Sequence, residues 1–365
     1  MKKILYRFLL AVNVFFAATL LISYLAVHIS PDDFALPAFF GLAYPYLLLI
    51  NIIIIITWLT MLRFEALISL IVIVIGFSHF SNYIKLHKPS GDKANTFKVL
   101  SYNVRLFNYY ENKNGVYSVK KVVDFLKTEK ADIICLQEYF ILGNPALEEA
   151  AIIKGLGSAY YSHMKVFKVG KNRYYGIATF SKYPIINKGE IVHKNSSSLS
   201  IYSDVLIQKD TFRVFNNYLQ SFMLKRMNRP FIVEMSSSEN GETMDEMKSL
   251  TKSLKKGFAL RALQSQLVKS YLNKSPYPVI VAGDFNDTPV SYTYRKIRKG
   301  LNDSFVTSGY GAGFTYRGNY PPNRIDYILY DNKLVNSFFE RKRVRYSDHY
   351  PIVAYFKRKI KMADS

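Results

Sequence analysis

The chain has 365 residues, room for one large domain or two smaller ones, and its 49 basic against 27 acidic residues give a formal net charge of +22. A single cysteine, Cys135 in an apolar run, excludes an intramolecular disulfide framework, and the absence of any Cys/His cluster argues against a structural zinc site. The charge admits a polyanionic partner (nucleic acid, an anionic lipid surface or a phosphorylated small molecule) or simply a lysine-rich solvated surface, since the lysines are scattered rather than arrayed on one helix.

The first elements are apolar. Residues 8–31, 34–62 and 66–84 contain no Asp, Glu, Lys or Arg. Each is long enough as an α-helix to cross a hydrocarbon core of ~30 Å. The second includes LLLINIIIIITWLTML, a run that no soluble surface helix would carry. Three transmembrane helices are expected, the last two forming a tight hairpin around Arg63 and Glu65. A signal peptide is the alternative for the first stretch, but no small-residue cleavage site is evident and two more stretches follow. Lys2, Lys3, Arg7 and Arg63 mark the cytoplasmic ends and Asp32 and Asp33 the outer loop. This predicts an integral protein of a bacterial-type inner membrane with everything after residue 85 on the extracytoplasmic side. Lys85, Lys88, Lys93 and Lys98 run against that orientation.

Residues 85–96 (KLHKPSGDKANT) read as a linker and 97–358 as one soluble domain, leaving a tail at 359–365. KVLSYNV, DIICLQE, YYSHMKVFKV, YYGIATFSKYPI, LSIYSDVLI and FRVFNNYLQS have strand-like composition. VYSVKKVVDFLKTEK, ALEEAAIIKGL and FALRALQSQLVKSYLNK have helical spacing. A polar insert at about 222–252 precedes the last helix, either shaping access to a site or forming a tolerated surface excursion. The final third returns to strands. Two packed sheets flanked by helices fit this order.

Five runs end in groups able to do chemistry: VLSYNVR (99–105), DIICLQE (132–138), VIVAGDFND (279–287), NRIDYILYD (323–331) and SDHYPIVAYF (347–356). Strand ends are where a rigid sheet fixes catalytic groups while loops leave them open. In GDFN, Asp284 offers a carboxylate for water or a nucleophile and Asn286 an amide for a phosphoryl oxygen, although Gly-Asp at a strand end is often only a turn. His349 can exchange protons or stabilise a charged transition state, and Asp348 can bind a cation, although Ser-Asp-His also reads as a capped turn. Asp326 could orient His349 or simply pair with Arg324. Glu138 and Asn103 are hard oxygen donors suited to Mg²⁺ or Mn²⁺.

Together these motifs resemble the endonuclease/exonuclease/phosphatase superfamily over about residues 97–358. The resemblance implies a four-layered α/β sandwich of two mixed sheets flanked by helices. It implies a metal site led by Glu138, with Asn103 and Asp348 assisting. Asp284 and Asn286 would position or activate the nucleophile, and His349, oriented by Asp326, would touch the scissile phosphoryl group. Many relatives carry Thr-His-Leu on a central strand where this chain reads Asn217-Tyr218-Leu219. Tyr218 would donate a hydrogen bond to a charged oxygen, or would mark weakened assistance to the leaving group.

The expected activity is therefore metal-dependent hydrolysis of a phosphodiester or phosphomonoester, with the bilayer as the only other partner and no obligate protein partner. The substrate is equally a lipid headgroup or extracytoplasmic nucleic acid. The alternative is a non-catalytic binding protein that keeps the fold. A transporter is not supported, because no span contains an Asp, Glu, Lys or Arg.

Overall fold

The computed structural model describes residues 2–88, 91–109, 119–157, 160–194, 196, 198–221, 242–318 and 322–358. Most of the polar insert and the C-terminal tail lie outside these residues.

The chain opens with α1 (Lys2–Leu25) and α2 (Leu36–Thr60), both continuous and apolar. The expected third span is not one long helix. It breaks into α3 (Ala66–Ile75) and the short turn α4 (Phe77–Phe80) at Gly76, where the Tyr24 ring packs so closely that a Cβ would lie 2.1 Å from it. Two helices, not three, are long and apolar enough to span a bilayer. Polar side chains of the three helices meet inside the bundle: Ser69 donates to Asn13 Oδ1 at 2.6 Å and is also within 2.8 Å of Asn51 Oδ1.

The short strand β1 (Ile84–Lys85) follows. The rest of the chain folds into two six-stranded sheets. One comprises β2 (Phe97–Asn103), β3 (Ile133–Leu142), β4 (Tyr161–Gly170), β5 (Arg173–Ser181), β13 (Leu334–Arg341) and β14 (Ile352–Arg358), in the order β13-β14-β2-β3-β5-β4. The other comprises β6 (Ile185–Ile191), β7 (Leu199–Ile207), β8 (Asp210–Tyr218), β9 (Val279–Asp284), β10 (Asn302–Asp303) and β12 (Asp326–Tyr330), in the order β10-β12-β9-β8-β7-β6. A two-residue strand, β11 (Gly311–Ala312), pairs with β1. Each large sheet has one parallel pair at its centre, β2 with β3 and β8 with β9, and antiparallel neighbours elsewhere.

Alternation along the strands builds the layers. Val99, Ile133 and Cys135 face Val214, Ile280 and Ile328 between the sheets. Leu100, Ile134 and Leu136 point the other way, onto α5 (Val119–Glu129) and α6 (Pro145–Leu156). On the far side, Val281 and Leu329 pack against α7 (Glu242–Asn273) and α8 (Tyr292–Arg298). A five-residue helix, α9 (Ser304–Ser308), is capped by Asp303. The result is the expected four-layered α/β sandwich; the predicted strands of the soluble domain are present, but the helix expected from Phe258 begins at Glu242, within the stretch read as a polar insert.

The sandwich is docked on the helices. Asn82 accepts from Arg324 through its carbonyl at 2.9 Å and from Arg298 through Oδ1 at 2.8 Å. Phe39 of α2 meets Phe258 of α7 edge-on at 5.2 Å.

Candidate active site

The two parallel pairs bring the site together. Because paired strands run the same way, Asn103, Gln137, Tyr218 and Asp284 reach matching levels in the two sheets. Asp326 enters from the opposite direction, opposite Asp284 in the β12–β9 ladder. His349 lies just before β14, which pairs with β2.

Local backbone then aims the side chains. A β-bulge between Leu136 and Tyr139 sets two residues of β3 against one of β5 and turns Glu138 to φ +49°. Asn286 has φ +52°, and its backbone N–H donates to Asp284 Oδ1 at 2.8 Å. Arg105 through Asn108 are all left-handed, and the Arg105 N–H donates to Asn103 Oδ1 at 2.9 Å. Non-glycine residues in this region cost about 1–3 kcal/mol each and cluster where a structure needs an unusual side-chain direction. Gly283, at φ +141°, lets β9 run against β8, since a Cβ there would lie 2.0 Å from the Asn217 carbonyl oxygen.

Seven of the eight residues singled out in the sequence bring their side chains together, and Asn286 joins them through its backbone N–H on Asp284. Asn103 Nδ2 donates to Asp284 Oδ2 at 2.9 Å and to Glu138 Oε1 at 3.1 Å, joining the two sheets. Its nitrogen, not its oxygen, faces the carboxylates. His349 Nδ1 is 2.9 Å from Asp326 Oδ2, while Nε2 lies 3.8 Å from Asp284 Oδ2 and 4.0 Å from Asp348 Oδ1. Tyr218 hydrogen-bonds Glu138. Asn286 Nδ2 donates to the Leu219 carbonyl at 2.9 Å, which pins the loop after β9. Asn103, Asp284, Asp326, His349 and Tyr218 are buried, whereas Glu138, Asn286 and Asp348 are partly open.

Several further residues contribute, and of these only Ser347, in the capped turn read from Ser-Asp-His, carried a signal in the sequence. Arg105 Nε pairs with Asp348 Oδ2 at 3.2 Å. Thr315 Oγ1 accepts the Asp326 N–H at 3.1 Å. Ser347 Oγ donates to the Asn103 carbonyl at 2.8 Å and caps the His349 N–H. Tyr175 reaches Tyr218 by a hydroxyl contact, the rings meeting edge-on at 6.3 Å. Tyr316 sits edge-on to the His349 ring at 5.2 Å. Apart from the local Ser347 cap, these contacts arise only where distant chain segments come together in the fold. Arg324, offered as a partner of Asp326, instead pairs with Asp303 at 2.5 Å.

Burial and neighbouring charge set the protonation states. Burial opposes charge on His349, but Asp326 and Asp284 overcome it and raise the imidazole to about 10. Burial and Asp326 push Asp284 up to about 7, against the pull of His349. Burial also raises Glu138, partly offset by the Asn103 hydrogen bond. Tyr218 is raised by burial and by Glu138, so its phenol stays neutral.

Carboxylates outnumber cations here, which is the charge balance of a divalent-cation site. Ligand atoms of Asp284, Asp326 and His349 all lie within 4.8 Å of one another, and the buried Asp326 Oδ1 has no hydrogen-bond partner. The carboxylate oxygens here, those of Glu138, Asp284, Asp326 and Asp348, are hard donors that fit Mg²⁺ or Mn²⁺, whereas His349, held as an imidazolium, offers no lone pair to a metal.

A family model described as the endonuclease/exonuclease/phosphatase family matches residues 100–349, a span holding every one of these residues. The chain belongs to the endonuclease/exonuclease/phosphatase family. A second model, for a domain of unknown function, matches residues 6–83. No curated protein matches. Among solved structures, a family member from Bacteroides thetaiotaomicron is 15% identical with a TM-score of 0.52, over 75% of this chain and 100% of its own. One from Leptotrichia buccalis is 16% identical with a TM-score of 0.51, over 72% and 100%. A humanized TDP2 from D. rerio is 16% identical with a TM-score of 0.50, over 72% and 99%. At these identities the likeness concerns the fold.

Proposed function

We propose that the chain is a membrane-anchored, divalent-metal-dependent phosphoesterase that hydrolyses a phosphodiester or phosphomonoester by in-line attack of water. The observation that carries this reading is the buried Asp326–His349 pair beside Asp284, bridged through Asn103 to Glu138.

Asp326 holds His349 through Nδ1 and keeps it an imidazolium, so Nε2 presents a proton and a positive charge to a phosphoryl oxygen. Asp284, raised to about 7, is suited to accept a proton from an attacking water near neutral pH. Asn286 holds the turn beside it through the Leu219 carbonyl and would contact the phosphate. Tyr218 supplies a neutral donor. Glu138 and Asp348, at the open side, would hold the cation, with Asn103 assisting if its amide turned; an imidazolium cannot ligate, which disfavours the His349 side. Bound Mg²⁺ or Mn²⁺ would neutralise charge on the phosphoryl oxygens.

The anchor reading rests on α1 and α2. Only 33% of the apolar window in α1 and 28% of that in α2 is buried, unlike the core helix of a soluble protein. A signal sequence leaves α2 unexplained. Near the far end of the bundle Arg63 lies over the Tyr6 ring at 5.5 Å, close to Lys3 and Arg7 in sequence, whereas the sandwich docks at the other end. Basic residues favour the cytoplasmic side, which supports an extracytoplasmic catalytic domain.

The test uses the full-length protein in neutral detergent with Mg²⁺ and bis(p-nitrophenyl) phosphate. The wild type should release nitrophenol, and Glu138→Ala and His349→Ala should not. Equal turnover by all three would refute the site assignment, and no turnover by the wild type would leave a binding protein with a retained fold.

A further inference from the structure

A second site lies where the sandwich meets the helices. A cavity of about 490 Å³ opens between the end of α1, the α4 turn and α8. Its wall is cationic: Arg295, Arg298 and Lys299 come from the α8 stretch YRKIRK, and Ser78 and Ser81 add hydroxyls. Its floor is apolar, including Val27 and Pro289, and no acidic residue lines it.

The carboxylates nearby are already engaged. Asp303 holds Arg324 through both oxygens, at 2.5 and 2.6 Å, and Asp287 holds Arg261 at 3.0 Å. Arg298 is fixed in place by neutral partners, donating to Asn82 Oδ1 at 2.8 Å and to the Tyr294 hydroxyl at 2.7 Å. Arg295 and Lys299 are exposed and enter no salt bridge among the described residues. On the other side of α8, a cavity of about 630 Å³ carries Lys269, Lys296 and Lys333 against one carboxylate, Asp331, so the positive field extends there with a net excess of cations. In the first cavity three cations converge with no acid in the lining, which calls for an anion, and the Ser78 and Ser81 hydroxyls beside them suit a phosphate.

The position fixes the source. Val27 follows α1, and Ser78 and Ser81 follow α3, so the cavity sits at the level where the apolar helices leave the bilayer. A soluble anion needs no apolar floor, whereas a headgroup brings glycerol and the start of its acyl chains with it. We propose that this junction cavity binds the phosphate of an anionic phospholipid headgroup, distinct from the catalytic edge. It requires only the membrane-anchored part of the proposed function.

The experiment is native mass spectrometry of the full-length protein in neutral detergent, titrated with phosphatidylglycerol or phosphatidylcholine. The wild type should retain phosphatidylglycerol about tenfold or more over phosphatidylcholine. The double variant Arg295→Gln/Lys299→Gln should lose that preference while keeping its melting temperature and its turnover of bis(p-nitrophenyl) phosphate. Equal retention of the two lipids by the wild type, or an unchanged preference in the variant, overturns the proposal. A parallel melt with inorganic phosphate separates the sources: stabilisation by phosphate without lipid retention assigns a soluble anion and also overturns it. Failure of the anchor reading shows separately, as release of the wild type from membranes by an alkaline wash. Loss of catalysis with lipid preference intact would sink the phosphoesterase assignment and leave this site standing.

Discussion

Replacing Asp326 with Asn tests the centre of the site. The side chain keeps its shape and an oxygen for His349 Nδ1 but loses its charge. In the folded protein the imidazole is raised from 6.5 to about 10 despite burial. At ~1.4 kcal/mol per unit, the net preference for imidazolium is therefore roughly 5 kcal/mol, the neighbouring carboxylates having offset the cost of burial as well. Asp326, at 2.9 Å, is the foremost of them, and Asp284, at 3.8 Å, is second. Asp326→Asn should lower the imidazole by a unit or more and reduce turnover of bis(p-nitrophenyl) phosphate by about 10²–10⁴-fold. His349 is a cation below its own pKa, so the alkaline limb of the rate profile, near 10 in the wild type, should move toward neutrality. Stability follows the same sign. A group raised on folding contributes fully below its ordinary value of 6.5 and loses that contribution as pH rises through about 10. The gap in melting temperature between wild type and variant should thus be widest at neutral or acid pH and shrink in alkali. A variant with the wild-type rate and an unmoved alkaline limb would refute this account of His349.

Chelation with EDTA should abolish turnover, and Mg²⁺ or Mn²⁺ should restore it; Glu138→Gln should need more metal for half-maximal rate, by roughly 10-fold or more, and full activity in EDTA would exclude the metal. Gly283→Ala sets a Cβ 2.0 Å from the Asn217 carbonyl oxygen and should abolish folding or lower the melting temperature sharply, as read by circular dichroism. Arg324→Leu leaves Asp303 buried without its bidentate partner and should destabilise by about 3–5 kcal/mol in denaturant titration; an unchanged midpoint would show that the pair contributes nothing. A chain beginning at residue 92 loses both Asn82 contacts and β1, and should melt at least about 5 °C below the full chain in the same detergent.

Much of the fold was legible because alternation and helical spacing are local properties. DIICLQE and VIVAGD announce buried strands by composition alone, and their acids stand out because apolar runs stop at them. The site was legible as a set for the same reason. Its supports were not. Thr315 holds Asp326 from a loop, and Tyr175 reaches Tyr218 from the other sheet, contacts that exist only once the two sheets pack. Glu138 owes its direction to a bulge, and nothing in LQEY reveals one. The third span is shorter than expected because absence of charge does not ensure a continuous helix. SHFSNY, after Gly76, already carried polar groups suited to an interface, and the helix stops there.

Those same polar groups explain how helices and site are joined. Lys85, at the head of the stretch read as a linker, is paired with Gly311 through the β1–β11 ladder. The Gly313 N–H then donates to the Tyr83 carbonyl at 2.8 Å. Two residues later Thr315 holds Asp326, and beside it Tyr316 covers His349. On the other side, Thr288 reaches the Gly41 carbonyl of α2 at 3.4 Å, two positions from Asn286. Both connections are short and hydrogen-bonded, so neither can absorb a shift of the helices without moving Asp326 or the loop beside Asp284. The apolar segment therefore acts as a wall of the candidate catalytic unit, and the buried Arg324, held by Asn82 from one side and Asp303 from the other, is the bolt between them.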